Sequence, residues 1–255
     1  MSARPPRYAG RSYFADPGRL RASVEAFIED AAQPALSGSL RALVVPHGTH
    51  GEIGLLAGRA YKLLLSLPLP SAPLLILAPA AEGDDSAIRC DPSFAYATPL
   101  GQVAIDNICL DAIEQAGLPV VRAPDGDPHI ESHLPFVQVA LGDEQIVPLR
   151  VSAGLDLAAP TWQSVGDQVG LIIAIANLPA ADATSALMRL DERALMALPT
   201  RRRWLWGGPP AAPASPSADR AVLALAVKLA KAKGANRAAL LESAGARAAL
   251  ALYRA

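Results

Sequence analysis

Apolar residues in this chain follow two rhythms, and their alternation predicts the architecture. Short apolar runs stand at 40–46, 74–78, 145–151 and 171–176. Runs of that length, bounded by turn-forming residues, suit strands buried on both faces. Elsewhere the spacing changes to the threes and fours of a helix. Leu20, Val24, Phe27 and Ile28 form one stripe behind Asp16-Pro17, a side-chain cap followed by a proline suited to the first helical position. Val222, Leu225, Ala226 and Leu229 form another behind Ser217, with Lys228, Lys231 and Lys233 toward the negative end and Gly234 as the stop. Helices are also predicted over 54–67 and from Asp106 through Ile108 and Ile113 to Gly117. Thr98-Pro99-Leu100-Gly101 reads as a turn before a strand carrying Val103 and Ile105, and 240–241 and 248–253 read as closing strands.

Strands alternating with helices predict one α/β domain over 1–255, in three layers, with a mostly parallel sheet and helices on both faces. One segment, 207–217, is rich in Pro, Ala and Gly and reads as a flexible loop.

Composition narrows the class. With 51% hydrophobic and 18% charged residues the chain can build a sizeable core. A net charge of -1 supplies no overall field for nucleic acid or an anionic membrane, so neither is expected as a partner. The two cysteines, Cys90 and Cys109, form no CxxC and are too few for a disulfide scaffold, which points to a reducing, cytoplasmic setting. The apolar runs fall well short of the ~20 residues a bilayer span needs.

Candidate chemistry centres on His47, one of four histidines, placed where the run 40–46 gives way to a glycine-rich turn. Polar groups just past the carboxyl end of a strand are where open α/β sheets bind ligands. His47, Gly48, His50 and Asn177 are the candidate cleft residues, and Glu131 is a candidate general base beside His47. His129 and His133 are four apart and could share a helical face, subject to Pro135. Gly48, Gly51 and Gly54 have the spacing G-x-x-G-x-x-G, which lacks the form of a dinucleotide fingerprint, although a helix start there could attract an anion. Arg201, Arg202, Arg203, Trp204 and Trp206 form a concentrated basic and aromatic stretch, read as a protein-contact element.

Several segments together resemble one family. Residues 7–16, RYAGRSYFAD, resemble the AGxFYPxD signature of the Memo family, also called AmmeMemoRadiSam system protein B. PHGTHGEIGLLAGRAY (46–61) is similar to that family's PHAGYxYSG…A…AY. TPLG (98–101) followed by Asp106, ESHLPFVQ (131–138) and IVP (146–148) match further motifs in order. The resemblance implies a fold similar to class III extradiol dioxygenases, with a metal site of several histidines and a cysteine.

Carried over position by position, only His47 of that donor set survives. The second-strand GPSH segment reads Ala78-Pro79-Ala80-Ala81, and SSDLSH reads Ala176-Asn177-Leu178-Pro179-Ala180. Proline 128 precedes His129 where the family has a histidine, and no cysteine stands near Ser217-Ala218-Asp219. A catalytic iron, copper or zinc needs about three protein donors. The expectation is therefore a member without cofactor or metal, acting as a non-catalytic subunit or binding module. Its protein partner would be an active paralogue or a radical-SAM protein of the same systems. The alternative is a metal-dependent oxidoreductase or hydrolase built on a rearranged site around His47, with a single Fe, Cu or Zn ion.

Overall fold

The apolar runs become the middle of an eight-stranded sheet. In chain order the computed structural model places α1 (Pro17–Asp30), β1 (Ser39–Val45), α2 (His50–Lys62), β2 (Leu74–Pro79), β3 (Ile88–Cys90), β4 (Ala95–Thr98), β5 (Gly101–Ala104), α3 (Asn107–Gln115) and β6 (Val120–Arg122). There follow α4 (Pro128–Leu141), β7 (Ile146–Val151), α5 (Thr161–Gln168), β8 (Ile172–Ile175), α6 (Ala183–Met188), α7 (Glu192–Ala197), α8 (Ala218–Ala232), β9 (Arg237–Ala244) and β10 (Arg247–Arg254). The structure describes all residues except 1, 33–35, 67–71, 82–86, 125, 127, 179–181 and 199–216. The loop expected at 207–217 lies outside them apart from Ser217, whose side chain caps α8 by accepting from the Arg220 amide.

The sheet runs β6-β3-β7-β2-β8-β1-β10-β9, with β4 and β5 forming a separate hairpin. β7, β2, β8 and β1 are mutually parallel, as is the pair β3 and β6, so most of the pairings are parallel as expected. At the flanks β10 runs antiparallel to β1 and to β9, and β3 antiparallel to β7, so the sheet is mixed. Every residue of β2, β7 and β8 is buried, as strands covered on both faces must be. One helical group, α1, α2 and α4, packs together and against β1, β2 and β10; α8 packs against β1, β2 and β8 and carries α5 and α7. This is a single α/β domain, a mixed sheet between helices.

Local rules explain most element ends. Asp16 caps α1 through the Arg19 amide at 2.8 Å, and Asp106 caps α3 through the Cys109 amide at 2.8 Å. Two details differ from the sequence reading. Ile108 is 85% exposed, so α3 presents Cys109, Leu110 and Ile113 to the core instead. α2 begins at His50, four residues ahead of the expected start, because Thr49 and Glu52 form a capping box with Glu52 Oε2 accepting from the Thr49 amide at 2.9 Å. α4 runs straight through Pro135. Among the described residues no helix is long and apolar enough to cross a membrane.

Candidate functional site

The four parallel strands end on the same side, and that edge gathers the polar residues. His47 follows β1, Ala80 and Ala81 follow β2, Ser152 follows β7, and Asn177 follows β8. The first turn of α8 brings Asp219 to the same place. His47 is therefore not the solitary imidazole that loss of the family donors implies. Its Nδ1 lies 3.2 Å from Asn177 Nδ2 and its Nε2 lies 3.1 Å from Asp219 Oδ1. An amide nitrogen can only donate, so Nδ1 accepts and Nε2 carries the hydrogen that Asp219 receives. The Asn177 backbone amide donates to the same carboxylate oxygen at 3.1 Å. The result is a closed ring of hydrogen bonds linking β1, β8 and α8.

His129, at the start of α4, lies against this ring of bonds. Its imidazole centroid is 4.1 Å from that of His47, with planes tilted by 33°. Burial holds its pKa down at about 4, and the neighbouring His47 and Arg150 push the same way while Asp219 opposes them. The ring is neutral at neutral pH.

His50 and His133 go elsewhere. His133 is fully buried, donating from Nε2 to the Pro46 carbonyl at 3.0 Å and accepting at Nδ1 from the Tyr61 hydroxyl at 3.2 Å. Burial lowers its pKa to about 3, against a smaller opposing effect of the Pro46 carbonyl. His50 donates from Nε2 to the Ser132 carbonyl at 2.8 Å, and burial holds it neutral as well. Both histidines sit within the core of rings around Phe136. The four histidines do not converge on one point.

Glu131, the candidate base, is fully buried and serves another purpose. Its carboxylate accepts from the Tyr8 amide at 2.8 Å, the Arg7 amide at 3.2 Å and the Tyr13 hydroxyl at 2.7 Å, and pairs with Arg4 Nη1 at 3.1 Å. It ties the N-terminal segment to α4, and no contact joins it to His47 among the described residues. Gly48 forms the turn into α2, where a Cβ would come within 2.9 Å of Ile53 Cγ2. At this helix start the amide of Thr49 is used by Glu52 and that of His50 by the Ser12 carbonyl at 2.8 Å. Arg201, Arg202, Arg203, Trp204 and Trp206 lie outside the described residues.

Iron, copper or zinc would need lone pairs aimed at one point from about three donors. The residue types are present in His47, His129 and Asp219, but their arrangement does not fit. The lone pair of His47 is taken by Asn177 and its N–H by Asp219, so neither ring nitrogen is free to meet an ion. Among the described residues no group of three or more His, Cys, Asp or Glu is placed to hold an ion. The sequence motif calls for a cysteine near this position, and Asp219 is the residue it leaves unnoticed. A carboxylate in the first turn of α8, two residues after its cap, was the available signal.

A model of the Memo-like protein family matches residues 4–173. The MEMO1 family protein MTH_45 of Methanothermobacter thermautotrophicus is 30% identical over 176 residues, 65% of this chain and 63% of that protein. A MEMO1 family protein of Sulfolobus acidocaldarius is 32% identical over 160 residues, 57% of this chain and 56% of its own. One from Thermococcus onnurineus is 32% identical over 155 residues, 57% of this chain and 52% of its own. The chain thus spans between half and two thirds of the length of these relatives. The matched family segment includes His47 and His129 and ends before Asn177 and Asp219.

Proposed function

The chain belongs to the Memo-like protein family, and from that premise we propose that it is a non-catalytic member, a binding protein that keeps the fold and uses the old site as a structural clasp. The observation that carries this reading is the engagement of both ring nitrogens of His47, by Asn177 at 3.2 Å and by Asp219 at 3.1 Å. A neutral imidazole has one lone pair and one N–H. With both committed to protein partners, His47 is poised neither to ligate an ion nor to accept a proton from a substrate. Ala80 and Ala81, at the end of β2, supply no side-chain donor.

The binding function is that of a protein partner, an active paralogue or a radical-SAM protein. We assign the contact to Arg201, Arg202, Arg203, Trp204 and Trp206 on their charge and aromatic content, since arginine and tryptophan anchor protein interfaces disproportionately.

Elemental analysis of untagged protein after growth with iron, copper and zinc tests the central claim. The expected result is metal well below one ion per chain, unchanged in His47→Ala. Near-stoichiometric metal that disappears in His47→Ala overturns it and favours the rearranged site of His47, His129 and Asp219.

A further inference from the structure

Away from the His47 cluster, residues 10–16 and the starts of α1 and α2 border an open cavity of about 580 Å³. Pockets of roughly 300–1,000 Å³ are the size that takes small organic ligands. We propose that this cavity binds a small phosphomonoester, with Arg11 and Arg19 holding its phosphate.

The charge of the lining carries the argument. Arg11 and Arg19 both line the cavity and are exposed, and neither guanidinium meets an oxygen acceptor among the described residues. Arg19 Cζ lies 4.4 Å from the Phe14 ring centroid. That contact keeps the side chain at the wall, and a ring offers no oxygen to compete with an anion. Asp16 is the acidic residue of the lining, and its Oδ1 accepts from the Arg19 amide that it caps. Burial keeps His50 neutral, so two positive charges face one negative.

Polar donors reach the same cavity from three segments. Ser12 precedes α1, Ser23 stands on α1 and Gly51 is the second residue of α2; the serines are half-buried and Gly51 is exposed. The amides of Thr49 and His50 are taken, but that of Gly51 has no acceptor among the described residues. It lies in the first turn of a 13-residue helix, where backbone N–H groups favour an anion. Glu52, next along, turns to Thr49 and Arg247 instead. Donors from three directions suit the three terminal oxygens of a phosphate better than the two of a carboxylate. A bare phosphate would leave much of the cavity empty, and Phe27 gives the remainder an apolar wall for an organic body.

Isothermal titration of the full chain at fixed ionic strength tests the proposal, with phenyl phosphate, inorganic phosphate and benzoate as probes. Phenyl phosphate should bind saturably and one to one, inorganic phosphate more weakly and in competition with it, and benzoate at least about tenfold more weakly. Arg11→Gln and Arg19→Gln should each weaken phenyl phosphate about tenfold, the size of one charge-assisted hydrogen bond. Gly51→Asp should abolish binding by setting a carboxylate at the cavity. It should keep its thermal stability, because a side chain there meets no heavy atom within 4 Å and an acid in the first helical turn is favourable. His47→Ala should bind as the parent does, which separates this site from the clasp. Absence of saturable phenyl phosphate binding overturns the proposal, as does equal binding of benzoate or undiminished binding when both arginines are replaced. Inorganic phosphate bound with phenyl phosphate excluded overturns it too, since the site would then hold an adventitious ion only.

Discussion

A histidine that folds into the core uncharged makes stability depend on pH, and His133 is the clearest case here. Its folded pKa is held near 3 by burial, against about 6.5 in an unfolded chain. Between those values the unfolded chain binds a proton that the folded one refuses. Stability from this residue is therefore complete above about pH 6.5 and is lost as pH falls toward 3, with a slope of at most about 1.4 kcal/mol per pH unit. His129, with its pKa near 4, adds a term of the same sign over a narrower window. Urea unfolding of wild type and His133→Gln at intervals from pH 7 to pH 4 should show the parent losing stability more steeply; parallel curves would rule the coupling out. Glu131 makes the companion case for a buried charge. Glu131→Gln puts an amide before the donors of Arg7, Tyr8 and Tyr13 and strips Arg4 of its closest carboxylate, leaving Asp91 at 3.7 Å. The expected loss is about 3 kcal/mol in chemical denaturation, the cost of breaking a buried pair. A change under about 0.5 kcal/mol, the size of an ordinary surface substitution, would return Glu131 to candidacy as a base.

At the scale of elements, the glycines of α2 show what a linear reading misses. Gly54 and Gly58 lie one turn apart on the face that meets α1, where Phe27 occupies the space a methyl group would need: its ring at Gly54, its carbonyl oxygen at Gly58. The helices approach so closely because neither glycine has a side chain. In the sequence the glycines here read as turn material, which holds at Gly48. Nothing in the local pattern announces that a helical glycine faces a neighbouring backbone, because that neighbour is supplied by tertiary packing. Helix and strand existence was legible for the opposite reason: caps at Asp16, Asp106 and Ser217 act within four residues, and apolar periodicity records burial directly. Gly58→Ala should cost about 1–3 kcal/mol by forcing α1 outward. Gly51→Ala, in the same helix over open space, should be neutral or stabilising by about 0.5 kcal/mol. Thermal melts of the two variants should shift in opposite directions or at least differ by that amount. Equal shifts would mean that α1 is not seated as described.

Taken whole, the molecule combines a parallel core legible in the sequence with antiparallel flanks that were not. A buried strand has the same residue pattern whichever way it runs, so direction is decided by connection length and not by composition. β9 and β10 are joined by a tight turn at Gly245, which forces them antiparallel, and β10 then inserts beside β1. The site was legible only as far as its strand ends. His47 and Asn177 sit where an open sheet should hold polar groups, whereas Asp219 arrives from a helix some 170 residues away in the chain and becomes a partner only through the three-dimensional arrangement. The insertion of β10 also has a consequence for dynamics. Its residues Leu250, Ala251 and Leu252 are buried and pair with β1 on one side and β9 on the other, while β9 closes the sheet with an edge of its own. Amide exchange should therefore run against proximity to the C-terminus. The β10 amides at 250–252 should exchange at least about a hundredfold more slowly than the outward amides of β9, since exchange from an interior strand requires a larger opening. Hydrogen exchange resolved by residue at neutral pH would decide it: comparable rates in the two strands would place β10 at an edge and leave β1 without the neighbour that closes the parallel core.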